Sequence, residues 1–486
     1  MSATKPQSRL TGAVAVMGAQ ASVLILGYLT HLWIGRLLGP GPYGVYGVVL
    51  SLQSIFGLFL TLGVPVAIAR YVAQDETHAR SILRQGASLQ LLIALVVALA
   101  MGLGSPLLAG LLGDATLASL IAFSAVVIFS QAAYPIYQQF FSGMHMFNRQ
   151  AAVTALYAVI KAAGALSLIY VFGVFGAFAG FLIGGIVAAV IGWWWSRGLG
   201  GRKAKRLPRT AFLKFAGVYV LILVGLQILI SLDLFMVKAL LHDNVQAGYY
   251  NAGVTLSRIP YMLLQALGFI LLPSVARLTK PGASANEAVA FIAQTIRYLV
   301  LLIVPSVALA AATSKPLIHL FFSTQYTAAA PVLSVLMIGL GSLSFYLLLA
   351  NIAAGANRAL VSLGITIGLV IASAALGWYL IPTYGLIGAA WQTTITGLVG
   401  LAILATYTFR TFRIPVPWRT AVNSIVASAI AVGLTYFWIA TPLTLIPQYL
   451  VVGAIYLAAL WFLREIRDVD RIRLASMHPK LNWLKP

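Results

Sequence analysis

The chain has 486 residues, of which 61% are hydrophobic and only 8% charged, with a mean hydropathy of +0.96. A soluble domain carries roughly 25% charged residues, so this composition excludes a water-soluble protein and describes one built to sit in a bilayer. The formal charge of +22 reflects 31 Lys and Arg against nine Asp and Glu, and the absence of cysteine excludes disulfides, thiol catalysis and thiolate metal sites.

A bilayer-spanning helix needs about 20 apolar residues. Apolar runs bounded by charge, Pro and Gly predict helices near 11–35, 43–69, 85–112, 117–141, 151–172 and 174–196, then 212–240, 247–275, 288–313, 327–353, 357–381, 384–409, 419–440 and 444–463. The expected fold is therefore all-α, with about 14 transmembrane helices. The first run is too long for a signal-peptide core and no small-residue cleavage site follows it, so it is expected to remain as a helix.

The stretch Trp193 to Lys214, WWWSRGLGGRKAKRLPRTAFLK, is the long polar interruption in this pattern. Tryptophans followed by clustered Lys and Arg mark a cytoplasmic loop, because positive charge is retained on that side. With the amino terminus cytoplasmic, the outer loops hold only Arg36, Lys238 and Lys315, and Lys161, Arg258 and Arg297 fall inside spans; all other Lys and Arg are then cytoplasmic. Topology accounts for the basic charge, and nucleic acid is not an expected partner. Both termini are expected inside.

The two sides of this connector repeat one another. Asn148, Arg149, Tyr170 and Gly176 recur 209 residues later as Asn357, Arg358, Tyr379 and Gly385; Pro65, Ala69 and Arg70 answer Pro273, Ala276 and Arg277. An even number of helices per unit makes the repeats parallel, related by an axis along the membrane normal. The expected domains are a six-helix lobe over 1–196, a basic connector over 197–211, a second six-helix lobe over 212–410, and two additional helices with a basic tail over 411–486.

The run GRLLGPGPYGVYGVVLSLQSIFGLFLTLGVPVAIARYVAQ, from Gly35 to Gln74, resembles the first hairpin of polysaccharide and oligosaccharide-lipid flippases of the multidrug/oligosaccharidyl-lipid/polysaccharide (MOP) exporter superfamily. SLDLFMVKALLHDNVQAGYYNAGVTLSRIP, from Ser231 to Pro260, is its counterpart in the second half, and the likeness covers most of residues 9 to 410. The resemblance implies a transporter, not an enzyme, that flips a polyprenyl-diphosphate-linked oligosaccharide across the cell membrane of a bacterium or archaeon by alternating access, for cell-surface polysaccharide synthesis. The expected partners are the lipid-linked glycan, membrane lipids, and the polymerase and glycosyltransferases of the same pathway. Lipid II flippases and cation-coupled multidrug exporters of the superfamily are the neighbouring alternatives. A membrane glycosyltransferase or polymerase is the alternative of another class, but the first outer loop, RLLGPGPYG, has no carboxylate for it.

Charged side chains inside spans cost a few kcal/mol by insertion scales and generally face a cavity or a partner. Lys161 aligns with Val370 and Arg258 with Leu50, so the repeat scaffold does not require either charge. Asn251, Thr255, Arg258 and Gln265 fall at spacings that draw one polar stripe along a helix. Arg258, Lys161, Arg297, Asn251 and Gln265 are accordingly the candidate binding groups for a diphosphate or sugar, Arg supplying a planar fork of donors and Lys a compact charge. Asp233 and His31 are candidates for ion coupling or, with Arg36 and Lys238, for ion pairing. No metal-binding spacing and no phosphate-binding loop occurs, so no cofactor is expected and the energy would come from coupled H+ or Na+ or from the membrane potential.

Overall fold

A computed structural model describes residues 9–61, 63–201, 217–260, 262, 285–356, 358–433, 441–442, 444–465 and 470. Among these, every regular element is helical and ten helices are long and apolar enough to cross a membrane. In chain order the α-helices of the first half are α1 (Arg9–Leu38), α2 (Pro40–Thr61), α3 (Val64–Gln74), α4 (Ala79–Leu103), α5 (Ser105–Leu111), α6 (Leu117–Gln131), α7 (Tyr134–Gly143) and α8 (Phe147–Ser196). After the connector come α9 (Gly217–Leu241), α10 (Asn244–Ser257), α11 (Ala285–Ala312), α12 (Ser314–Phe321), α13 (Ala329–Gly355), α14 (Ala359–Phe412), α15 (Trp418–Gly433) and α16 (Leu445–Phe462).

Among the described residues the apolar runs fall on helices, while most of the run at 247–275 beyond Pro260 and the end of that at 419–440 lie outside them. Local chemistry decides where the runs break. The second run is interrupted between α2 and α3 beside Gly63 and Pro65, since proline cannot donate to the preceding turn. Buried Gln90 of α4 offsets the loss by donating to the Leu60 carbonyl at 2.6 Å. Such a side-chain donor is what a broken helix needs where water is absent.

α8 and α14 each fold back on themselves. A straight helix of 50 residues would be about 75 Å long, far more than a bilayer core. Gly173 of α8 (φ 54, ψ −131) and Gly385 of α14 (φ 59, ψ −136) adopt the same left-handed reversal, open to glycine without strain. A Cβ at Gly176 would strike the Leu168 carbonyl, and one at Gly388 would strike the Leu380 carbonyl, so the arms of both hairpins approach backbone to backbone. This revises the alignment at these hairpins. Gly385 answers Gly173, not Gly176, and Gly388 answers Gly176; the spacing is 212 here.

The chain divides into two compact units, Met1–Thr255 with Thr366–Ala389, and Leu256–Ile365 with Ala390–Pro486. In the first, α1 lies along α8, and a core of Val64, Ile68, Ile136, Phe140, Val153 and Tyr157 ties α3 and α7 to α8. Arg149, from the repeated Asn-Arg pair, donates to the Trp195 carbonyl at 2.9 Å and so closes the far end of the α8 hairpin. α2 and α10 touch through repeat-related residues: Gly44 against Gly248, Gly47 against Asn251 and Gly41 against Val245 are all 204 apart. Residues that meet their own repeat mates lie on a local two-fold axis, the relation expected of parallel repeats.

In the second unit α13 is buried along most of its length, and the Thr394 hydroxyl of α14 donates to its Val335 carbonyl at 3.0 Å. α15 and α16 pack on each other through Ala427, Ala431, Val452, Tyr456 and Leu460. The Tyr456 hydroxyl then donates to the Leu301 carbonyl of α11 at 2.8 Å.

Candidate functional site

Lys161 lies on the first arm of α8, facing the second arm across the hairpin, where a Cβ at Gly184 would press on its backbone. Its ammonium lies 4.2 Å from the centroid of the Phe181 ring and 5.7 Å from that of Tyr157. Phe181 comes from the other arm and Tyr157 from one turn earlier. Tyr157 is itself stacked on Tyr134 at 4.1 Å. Among the described residues no carboxylate lies within 4.0 Å of Lys161. Ring faces attract a cation by about 0.5–2 kcal/mol, which is well short of a counter-charge. The side chain is half-buried, with these two ring faces as its recorded partners.

The same Phe181 ring also approaches His31 of α1 and Tyr46 of α2, both at 6.4 Å, and His31 Nδ1 is 2.5 Å from the Tyr46 hydroxyl. His31 and Lys161 are thus gathered round one ring that hydropathy alone does not single out. Across the repeat, Asp233 of α9 accepts from the Tyr250 hydroxyl of α10 at 2.7 Å and from the Leu234 amide at 2.7 Å. His31 and Asp233 are 202 apart, and Tyr46 and Tyr250 are 204 apart. A proton-labile group on the first helix of each repeat therefore meets a tyrosine on the second.

Asn251 is buried at the axis, where its amide donates to the Tyr43 carbonyl at 3.3 Å. The Thr255 hydroxyl is 3.0 Å from that of Tyr43, and its carbonyl accepts from Tyr28 at 3.0 Å. The polar stripe on α10 does turn inward, and these members of it are occupied by α1 and α2. Arg258 follows directly after α10 and is half-buried, with its carbonyl accepting from the Met262 amide at 3.0 Å. Gln265 lies outside the described residues, as do the basic residues of the connector from Arg202 onward.

Lys238 is held by Asp114, at 2.7 Å, and by the Asn244 side chain at 2.5 Å, in place of the Asp233 pairing that the sequence left open. Burial works against the charged form of Asp114, but the bonds from Lys238 and Thr116 outweigh it and hold the carboxyl below its ordinary range. Arg36 is exposed at the end of α1.

Arg297 is 5% exposed and fully engaged. Its guanidinium donates to Glu465 Oε1 at 3.2 Å, to the Glu465 carbonyl at 2.6 Å, and with both terminal nitrogens to Asp470 at 2.9 and 2.7 Å. Thr420 and Asn423 of α15 complete Glu465 at 2.6 and 2.9 Å, and Tyr298 donates to Asp470 at 2.7 Å. Arg297 thereby fastens α11 to α15 and to the segment after α16. Among the tyrosines, Tyr46, Tyr250 and Tyr346 are buried in packing, while Tyr134 and Tyr137 are half-buried. Among the described residues no cluster of His, Asp or Glu has the makings of a metal site.

A duplicated bundle of apolar helices, with folded-back hairpins and buried polar groups turned inward, defines an all-α multi-pass integral membrane protein. Its fold is similar to that of "Lipid II flippase MurJ, inward closed conformation", with a TM-score of 0.71 and 16% identity over 94% of this chain and 99% of that one. It is also similar to an inward-facing multidrug resistance MATE family transporter of the MOP superfamily, with a TM-score of 0.66 and 16% identity over 80% and 94% of the two chains. The Vibrio cholerae MATE transporter VcmN in the bent form is similar at a TM-score of 0.54 and 18% identity, over 87% and 97%. No curated protein sequence matches the chain. Residues 34–331, more than half of the chain, match the polysaccharide biosynthesis protein family, and the chain belongs to that family.

Proposed function

We propose that this protein flips a polyprenyl-diphosphate-linked oligosaccharide across the cytoplasmic membrane by alternating access, supplying a cell-surface polysaccharide. The observation that carries the reading is Lys161, a cation at mid-span depth whose observed partners are two ring faces. A diphosphate brought into low dielectric needs positive charge to offset its desolvation, and a lysine not already neutralised by a carboxylate can supply it. Arg258 is the second cation in this reading, contributing planar paired donors to phosphate oxygens. The lobes over 1–196 and 212–410 rock about the internal axis, and the lipid tail stays in the bilayer while the headgroup passes through. His31 and Asp233, each beside its tyrosine, are the groups proposed to carry a coupling proton, with the membrane potential as the alternative drive. The polymerase and glycosyltransferases of the pathway are the proposed protein partners.

A lipid II-type cargo is the second reading, supported by the fold's likeness to a lipid II flippase over nearly its whole length. Both cargos present a diphosphate, so the cations serve either one. Depleting the protein and identifying the lipid-linked glycan that builds up on the cytoplasmic leaflet tests the assignment. The expected glycan is a polysaccharide repeat unit; accumulation of lipid II selects the second reading, and no accumulation of any lipid-linked glycan contradicts both.

A further inference from the structure

At the helix ends that the charge pattern assigns to the outer face, α2 and α10 meet through Gly44 and Gly248, where a Cβ on either would strike the opposing backbone. Beside them Asp114, in the turn between α5 and α6, accepts from Lys238 near the end of α9 at 2.7 Å. The Lys238 side chain is 2% exposed and that of Asp114 14%. Around the pair the backbone is tightly shaped: Gly113 (φ 67) lies under the His242 ring, His242 itself has φ 53, and the Asp114 carboxylate also takes the Thr116 amide at 3.1 Å.

The pair is not matched across the repeat. The repeat mate of Lys238 is Arg36, but the mate of Asp114 is Ser323, and residues 317–327 contain no acid. The carboxylate of the pair is therefore an addition to the repeat scaffold. The pair joins a loop of the first repeat to the first helix of the second, so the two repeats cannot part at this face while it holds. A pair this buried is costly to break one partner at a time, because the remaining charge is left without its counter-charge.

We infer that Asp114 and Lys238 form an ionic latch that keeps the outer face closed and must separate before cargo can leave outward. The inference rests on the proposed transport cycle, but the latch has a readout that does not depend on cargo. Asp114→Asn should raise amide hydrogen exchange in the segments 43–48 and 244–250 by roughly tenfold or more, and the double exchange Asp114→Lys with Lys238→Asp should restore protection. Unchanged exchange in Asp114→Asn, in protein that still melts cooperatively, overturns the latch whatever the cargo proves to be.

The lack of native cysteine allows a second arm. In the pair Asp114→Cys with Lys238→Cys, bridging with a short reducible bis-methanethiosulfonate should abolish flipping in vesicles, and reductant should restore it. Full flipping by quantitatively bridged protein also overturns the proposal. Loss of exchange protection in a protein that moves no lipid-linked glycan under any condition would retain the latch and reject the flippase reading.

Discussion

Lys161 and Arg297 are both cations within apolar helices, yet they occupy opposite surroundings. Arg297 has two carboxylates, a backbone carbonyl and a neighbouring tyrosine arranged round it, with the donors of α15 completing one of the acids. Lys161 has two aromatic rings. A buried charge with matched partners is spent on structure, and one left to ring faces retains most of its attraction for an incoming anion. The contrast divides the sequence's list of intramembrane cations into an anchor and a candidate binding group.

The largest expected effect is at the anchor. Arg297→Ala removes the guanidinium from buried Glu465 and should cost about 3–5 kcal/mol, measured as thermal or denaturant unfolding in detergent, with α15 and α16 the first elements to exchange. Lys161→Ala should change stability by no more than the about 0.5–2 kcal/mol of its ring contacts, since it removes no counter-charge. A comparable loss at both positions would erase the distinction. Glu465→Gln keeps the shape but weakens charge-assisted bonds from Arg297, Thr420 and Asn423, and should cost about 1–3 kcal/mol by the same measurement. Phe181→Leu should lower flipping a few-fold and cost about 0.5–2 kcal/mol, because it removes the nearer ring from Lys161.

The smallest effect is on pH dependence. Burial pushes the Glu465 carboxyl up, but Thr420, Asn423 and Arg297 outweigh it and leave it below the ordinary carboxylate range. A carboxyl depressed in the folded state stabilises it fully above its unfolded value, roughly pH 4.3, and this contribution is lost as pH falls through the folded value. Unfolding midpoints followed below about pH 5 should therefore drop in the native protein and drop less in Glu465→Gln. Lys161→Gln should reproduce the native acid limb.

Hydropathy is local, and what it controls was legible: the apolar helices and the existence of a repeat. Partners are not local. Glu465 and Asp470 lie 168 and 173 residues from Arg297, and Asp114 lies 124 from Lys238, beyond any helical spacing rule. For that reason Arg297 and Lys161 looked alike in the sequence. Phe181 was hidden differently. Gly176, Gly180 and Gly184 mark the face of the second α8 arm that meets the first, and Phe181 beside them is carried to Lys161 only once the chain reverses at Gly173. The repeat was visible, but its spacing drifts from 202 at His31 and Asp233 to 212 at the hairpin glycines, so one offset could not align every pair. Asn251 and Thr255 share a face as their spacing requires; that the face meets α2 at an internal axis needed the fold.

The most direct test compares flipping of a fluorescent polyprenyl-diphosphate oligosaccharide in vesicles for Lys161→Gln, Lys161→Arg and the native protein, with unfolding temperatures measured alongside. A lost charge-assisted contact to phosphate predicts that Lys161→Gln falls on the order of 10- to 100-fold, that Lys161→Arg retains a substantial part, and that both melt like the native chain. Native-rate flipping by Lys161→Gln would contradict the account, because the charge that the ring faces leave available would then have no use.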